Sequence, residues 1–401
     1  MKQKTRVKYL LRFLSLAVVL GIAGPGLGPV QARPALVFEA KSGKVLIAED
    51  AGKPWYPASL TKLLTAYIVF DEIRRGRLSY ASRVKISRNA ARQPPSKLGI
   101  KAGRSLSVEM ALTALLVRST NDIAVALAEK VSGSVAAFAR RMNATARKLG
   151  MQGSHFANPH GLYHKDQWTT ARDLGLLARA LLRDHPRSRR FFSRKSFTWG
   201  KRKLRNRNRL LTRLKGANGM KTGYICESGF NLVASATRKG RSLIAVVMGA
   251  PSGGYRFDLA ANLLEQGFAT RAGAKRLRLA AIRDLTGQKP PSLRPQLCEG
   301  VKVARITKPG NLQGWGVLFG IFKSKKRARH ALNVNLAGLR GAVRGAQAAV
   351  LDGKGGTAHA AVMAGLKLKQ VMSVCGWLSK RGNRCITLNP AELKNPRALW
   401  R

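Results

Sequence analysis

The stretch Pro57-Ala58-Ser59-Leu60-Thr61-Lys62-Leu63-Leu64-Thr65-Ala66-Tyr67 decides how this chain is read. A small, Pro-led turn opens a helix pattern that runs from Leu60 to Arg75 and is stopped by Gly76. Residues three apart on a helix face the same way, so Lys62 lies one turn above Ser59, as a base lies beside a nucleophile. The helix N-terminus favours negative charge developing on the serine oxygen. A lysine acts as a base only when burial and neighbouring positive charge bring its pKa toward working pH. Leu63, Leu64 and Tyr67 make the helix apolar enough to bury the Lys62 stem. Taken alone, the motif is weak and reads as a snorkelling surface lysine, because Ser82-Arg83-Val84-Lys85 has the same spacing. That second pair sits in a polar, strand-like stretch, where i and i+3 point to opposite faces.

Two further motifs follow in order: Ser119-Thr120-Asn121, inside a helical stretch from Val108 to Val131, and Lys221-Thr222-Gly223, before a strand at Phe230–Thr237. Ser87-Arg88-Asn89 repeats the second spacing, but Lys-Thr-Gly occurs once. A lysine, a hydroxyl and a glycine at a strand edge make a platform for an anionic peptide end, since the glycine lets a second backbone approach. Lys221 is expected to supply the second positive charge that tunes Lys62. The three motifs together form the Ser-x-x-Lys, Ser-x-Asn, Lys-Thr-Gly set of acyl-transfer enzymes.

Around these motifs, residues 33–270 read as one α/β unit. Ala35–Ala48 is a hairpin turning at Ser42-Gly43. Leu243-Ile244-Ala245-Val246-Val247-Met248 is a strand buried on both faces, and Asp258 to Phe268 is a closing helix. Residues 271–311 are dense in Arg and Lys, with Pro290-Pro291 and Pro295, and read as a basic linker. Residues 312–390 read as a second small domain followed by a tail, 391–401. Its expected order is a strand from Trp315, a helix over Lys323–Leu339, a strand near Ala346–Leu351, a helix over Ala364–Leu378 and a last strand at Cys385–Leu388.

The chain carries 74 Lys+Arg against 18 Asp+Glu in 401 residues, a formal charge of +56. Such a field attracts polyanions and says nothing about fold. Residues 1–32 argue against nucleic acid as the polyanion. A basic start (Lys2, Lys4, Arg6, Lys8, Arg12), an apolar Phe13–Ile22 run and Val30-Gln31-Ala32 read as a cleaved secretory signal. The expected location is therefore the periplasm or cell envelope, where wall polymers and anionic membrane surfaces are the available polyanions. Of four cysteines, Cys375 and Cys385 are the expected pair, and Cys226 and Cys298 are left open as free thiols. His155, His160 and His164 match no metal-ligand spacing, so neither metal nor cofactor is expected.

Residues 33–270 resemble the low-molecular-mass penicillin-binding proteins that are D-alanyl-D-alanine carboxypeptidases. Besides the three motifs, the resemblance rests on Asn158-Pro159-His160-Gly161-Leu162, Thr170-Ala171-Arg172-Asp173-Leu174, Asn206-Arg207-Asn208 and Gly229-Phe230-Asn231-Leu232-Val233-Ala234-Ser235-Ala236-Thr237. It implies a β-lactamase/transpeptidase-like α+β fold, with an antiparallel sheet flanked by helices. It also implies roles for the site residues. Ser59 attacks the bond between two terminal D-alanines, Lys62 takes its proton and Ser119 relays a proton to the leaving group. Asn121 holds the substrate amide, while Lys221, Thr222 and Arg256 hold the carboxylate end. Gly223 gives the backbone room, and the N–H groups of Ser59 and Tyr224 form the oxyanion hole. β-Lactams would acylate Ser59 as substrate mimics. Thr120 departs from the Gly or Ala usual between the Ser and Asn of that motif.

Trp315–Leu388 resembles a sporulation-related repeat (SPOR) domain, a ferredoxin-like module that binds peptidoglycan glycan strands. The likeness rests on Trp315-Gly316-Val317, Gly320, Phe322, Ser324 and the closing Cys375 and Arg381-Gly382-Asn383-Arg384-Cys385. Three rival readings are weaker. A serine β-lactamase needs a deacylating Glu between the second and third motifs, where only Glu129 occurs. A non-catalytic wall-binding protein does not need an intact trio, and a nucleic-acid binder rests on charge alone. A DD-endopeptidase would use the same residues.

Overall fold

The computed structural model describes residues 33–270, 273, 276–298, 312–339, 343, 346–353, 356–379 and 385–395. The signal-peptide reading of residues 1–32 lies outside them, as do Arg381-Gly382-Asn383-Arg384. No helix among the described residues is long and apolar enough to cross a membrane.

The catalytic unit is built on a five-stranded antiparallel sheet: β1 (Ala35–Glu39), β2 (Val45–Glu49), β3 (Ala217–Ile225), β4 (Gly229–Arg238) and β5 (Arg241–Ala250), in the order β2-β1-β5-β4-β3. The apolar run of β5 is explained by its two covered faces. Ile244, Val246 and Met248 enter the larger core, while Leu243, Ala245 and Val247 enter a second core on the opposite face. The large core packs the sheet against helices α1 (Lys62–Arg74), α2 (Val108–Thr113), α3 (Asn121–Ser132), α4 (Val135–Lys148) and α5 (Ala171–Asp184). In α4 the buried residues are Phe138, Met142 and Ala146, spaced four apart as a one-sided helix requires. Helix α6 (Gly253–Ala269), capped by Ser252 on Tyr255 N–H, covers the other face. It begins five residues before the Asp258 expected from the sequence, because that cap lies upstream of the apolar run.

Two local expectations are corrected. The helix expected from Leu60 starts at Lys62, after a 3₁₀ turn over Ala58–Thr61. The continuous helix expected over Val108–Val131 is broken. A π-turn over Ala114–Arg118 leads to Ser119 in the left-handed region (φ 65°), and α3 starts at Asn121. That break turns the second motif out of the helix and into the site.

The stretch read as a basic linker is also corrected. Leu279 and Leu293 are buried in the large core, Lys44 bridges to Arg278, and Leu293 N–H donates to Glu227 O at 2.8 Å. Cys226 and Cys298, left open as thiols, form a disulfide across 72 residues of sequence, and Cys375 pairs with Cys385. Closing so long a loop removes unfolded-chain entropy worth up to about 4 kcal/mol. The Cys226→Ser/Cys298→Ser double variant should melt several degrees lower in calorimetry. An unchanged melting point would show that the loop is already held by its other contacts.

The C-terminal unit has β6 (Trp315–Phe322), α7 (Lys325–Gly338), β7 (Gln347–Asp352), β8 (His359–Leu366), α8 (Leu368–Ser379), β9 (Ile386–Leu388) and α9 (Pro390–Lys394). The strands run antiparallel in the order β7-β8-β6-β9, a βαββαβ arrangement. The helix expected from Ala364 begins at Leu368, because His359–Leu366 pairs as a strand between β7 and β6. One sheet face packs on α7 and α8, and the other packs with Leu312 and Leu393.

Candidate active site

All three motifs converge at the outer edge of β3. The 3₁₀ turn places Ser59 and Lys62 almost eclipsed, since that helix repeats every three residues. Lys62 Nζ lies 3.0 Å from Ser59 Oγ. Ala58, immediately before Ser59, is held at φ 49°. A non-glycine residue there costs about 1–3 kcal/mol and is retained only where surrounding structure enforces it. The enforcing contacts come from two glycines. A Cβ on Gly161 would sit 1.8 Å from Ala58 O, and one on Gly223 would sit 3.1 Å from both Pro57 O and Ser59 N. Side chains at either position would push the serine turn away from β3.

Lys62 is fully buried and donates to Asn121 Oδ1 at 2.8 Å and to His160 O at 2.5 Å. Burial, then the Arg207 guanidinium, brings its pKa down to about 7, with Asp122 acting in the opposite direction. Arg207 is thus the leading positive neighbour of Lys62, and the expected repulsion between Lys62 and Lys221 is present as well, with Lys62 lowering Lys221. Lys221 is buried, and its Nζ donates to Ser119 Oγ at 2.8 Å and to Thr222 O at 2.7 Å. Burial, Lys62, Arg207 and Arg256 hold it well below an ordinary lysine. Asn121 donates its Nδ2 to Pro94 O at 3.0 Å, so the described contacts use it to orient Lys62. Thr222, Gly223 and Tyr224 line the cleft with Ser59. Arg256 donates Nη1 to Gly223 O and Asn231 O, while its buried Nε has no partner among the described residues.

Several residues were missed or left without a role by the sequence reading. Arg207 lies in the quoted Asn206-Arg207-Asn208, and the two asparagines clip that segment in place. Asn206 Nδ2 donates to Arg194 O and Asn208 Nδ2 to Gly219 O, both at 2.9 Å. Arg207 then donates to Arg118 O and Ser96 Oγ. Asp122 accepts from the N–H groups of Leu98 and Gly99, pinning the loop that carries Ser96. His160 contributes its carbonyl, and its ring stays neutral because burial and Lys62 lower its pKa to about 3. No sequence signal marks a backbone carbonyl as the partner of a buried lysine amine. Thr120 Oγ1 is buried with no partner among the described residues. Thr120→Val keeps the shape and removes that orphan, so it should be neutral or stabilising by about 1 kcal/mol in denaturant titration.

A serine hydroxyl against a buried lysine amine, a second serine–lysine contact and an edge strand beside them fit the acyl-transferring serine enzymes of the penicillin-binding class. Within that class, the chain belongs to the D-alanyl-D-alanine carboxypeptidase family, serine peptidase family S11, which it matches over residues 23–252. It is 36% identical to D-alanyl-D-alanine carboxypeptidase DacA of Haemophilus influenzae over 282 residues, covering 67% of this chain and 71% of the relative. It is 37% identical to D-alanyl-D-alanine carboxypeptidase DacC of Escherichia coli, covering 60% of this chain and 62% of the relative. Among solved structures it is similar to penicillin-binding protein D2 of Listeria monocytogenes in its cefotaxime-bound form. The TM-score is 0.55 at 32% identity, over 61% of this chain and 100% of that one. The fold expectation for the catalytic unit, a mixed penicillin-binding fold with an antiparallel sheet and helices, is met.

Proposed function

We propose that the protein is an exported serine D-Ala-D-Ala carboxypeptidase that trims peptidoglycan pentapeptides through an acyl-enzyme on Ser59. The observation that carries this reading is the buried pair of hydroxyl–lysine contacts, Ser59–Lys62 and Ser119–Lys221, placed beside a cleft with no Asp or Glu among its described lining residues. Buried positive charge without a counter-ion in the cleft calls for an anionic ligand. A terminal carboxylate at Lys221, Thr222 and Arg256 would supply it and return Lys221 to the protonated state. A substrate backbone would add to the outer edge of β3, as peptides do at open sheet edges.

In the step that follows, neutral Lys62 takes the Ser59 proton as the oxygen attacks the penultimate D-alanine carbonyl. The N–H groups of Ser59 and Tyr224 hold the oxyanion, usually the largest electrostatic contribution. The C–N bond breaks, and Ser119 passes a proton to the departing D-alanine. Water then hydrolyses the ester. No carboxylate among the described lining residues stands ready to activate that water against a bound β-lactam, so β-lactams would act as long-lived acylating inhibitors. The test pairs fluorescent penicillin labelling with D-alanine release from a pentapeptide. Wild type should do both and Ser59→Ala neither, and equal labelling of the two would sink the reading.

The C-terminal βαββαβ unit supports a SPOR-like role in holding the enzyme at glycan strands, with Cys375–Cys385 tying α8 to the last strand. Sacculus pulldown by the full chain and by the chain ending at 311 should differ at high salt, where bare electrostatic attachment, including contact with anionic membrane surfaces, is screened.

A further inference from the structure

The bridge between Cys226 and Cys298 begins one residue past β3, the strand that brings Thr222, Gly223 and Tyr224 to the cleft. Strand β3 is the outer edge of the five-stranded sheet, so β4 holds it from one side only. Their ladder closes with the pairs Tyr224–Phe230 and Ile225–Gly229, and Cys226 follows at once. The end of β3 therefore lacks a second strand, although it carries Tyr224, whose N–H is assigned to the oxyanion. Segment 293–298 supplies support there. Leu293 N–H donates to Glu227 O at 2.8 Å, Arg294 pairs with the Glu227 carboxylate at 2.7 Å, and Cys298 closes the disulfide.

Tyr224 is a large side chain left 41% exposed in the cleft lining beside Ser59. A half-exposed tyrosine on an edge strand is free to swing unless its face and its tip are both held. Its ring stacks on Phe230, with centroids 4.2 Å apart. Its hydroxyl donates to Cys298 Sγ at 3.3 Å and lies 4.0 Å from Cys226 Sγ. Among the described residues, that hydroxyl makes no other hydrogen bond. Phe230 also lies under the Arg256 guanidinium, at 5.5 Å, and Arg256 donates to Gly223 O. Gly223, Arg256, Phe230 and Tyr224 thus form one chain of contacts that ends on the sulfur pair. The bridge is within reach of solvent, with Cys298 exposed and Cys226 half-buried. Exposed disulfides are the ones that a small dithiol opens.

We propose that Cys226 and Cys298 are a positioning pair for acylation: their closed bridge fixes Tyr224 and the end of β3 beside Ser59, and its opening by a dithiol lets that end shift and slows the attack. The proposal rests on the Ser59 acyl-enzyme reading and adds a redox condition to it. Opening is two successive thiol–disulfide exchanges. The sulfur–sulfur bond breaks, the dithiol leaves as its own disulfide, and its two hydrogens end on Cys226 and Cys298 as thiols. The contacts of Glu227 with Leu293 and Arg294 do not involve sulfur and outlast the opening, so the segment stays attached while the tyrosine tip is released. The closed, fully active form is the one that an oxidising compartment maintains.

The test uses the full chain and the rate at which fluorescent penicillin acylates Ser59, before and after reduction with dithiothreitol and its removal, below the melting temperature. A Cys375→Ser/Cys385→Ser variant removes the other bridge, so thiol titration of that variant reads opening at Cys226 and Cys298 alone. Its reduced form should acylate about 10- to 100-fold more slowly than its oxidised form, up to the loss that a displacement of about 1 Å carries. Reoxidation should restore the rate. The final labelled fraction should be the same in both forms, because lost positioning slows every molecule, whereas partial unfolding removes some and leaves the rest fast. Cys226→Ser/Cys298→Ser should show the slow rate without reductant and no response to it. Equal rates for the oxidised and reduced forms, a wild-type rate in Cys226→Ser/Cys298→Ser, or a loss seen only in the labelled fraction would overturn the positioning role. Absence of labelling in the oxidised wild type would instead overturn the Ser59 reading beneath it.

Discussion

Lys62→Ala should lower the rate of Ser59 acylation by a fluorescent penicillin about 10²- to 10⁴-fold, the range a positioned general base contributes. The side chain is fully buried, 3.0 Å from Ser59 Oγ, and aimed by Asn121 and His160. Lys62→Arg should not rescue, because a guanidinium stays charged and cannot accept the proton. The pH profile gives an independent reading. With its pKa brought to about 7, Lys62 is largely neutral above that pH and charged below it, so acylation should fall as pH drops through about 7. Arg207→Gln removes the leading positive neighbour, which favours the charged amine, and the midpoint should move to higher pH. A profile flat from pH 6 to 8, or one unmoved by Arg207→Gln, would show that Lys62 is not the base. Circular dichroism melting of each variant separates loss of base from loss of fold.

Arg172→Met should destabilise the catalytic unit by about 3–5 kcal/mol, the cost of stripping one partner from a buried ion pair. Arg172 Nη1 lies 2.7 Å from Asp173 and 2.9 Å from Asp284, and Nη2 donates to Ala280 O. Both carboxylates are almost wholly enclosed, with side-chain exposures of 0% and 3%. Asp284 also accepts from Gly153 N–H and Thr170 Oγ1. The cluster thus bolts residues 276–298 to the start of α5. In a unit of this size each 1 kcal/mol moves the melting point about 2–4 °C, so a drop of roughly 6–20 °C is expected by calorimetry. A drop below about 3 °C would mean that the segment is held by Leu279, Leu293 and the Cys226–Cys298 bridge instead.

The pH dependence of this cluster has a definite sign. Burial, then Asp284, raises Asp173 from 3.8 to about 7. The folded state therefore keeps a proton that the unfolded chain loses near pH 4. Its contribution is fully present below about pH 4 and is lost as pH rises toward about 7.

What the sequence determined by itself is the chemistry that local spacing controls. Ser59 and Lys62 are three residues apart, and any single helical turn stacks them. Lys221, Thr222 and Gly223 share one strand, and the apolar run of β5 demanded cover on both faces. Each of these follows from neighbours within a few residues, where backbone geometry leaves little freedom.

Tertiary structure alone decided the tuning and the attachment. Arg207 reaches Lys62 electrostatically across 145 residues of chain, and His160 aims its carbonyl at the same amine across 98. The break at Ser119 reads as continuous helix because Ala, Leu and Val suit a helix equally well. Only packing on β3 favours the left-handed turn there. Residues 276–298 look like a linker because their charge is exposed and their few anchors, Leu279, Asp284, Leu293 and Cys298, are scattered. Burial and pairing are properties of what those anchors meet in space, and no local pattern encodes a partner tens of residues away.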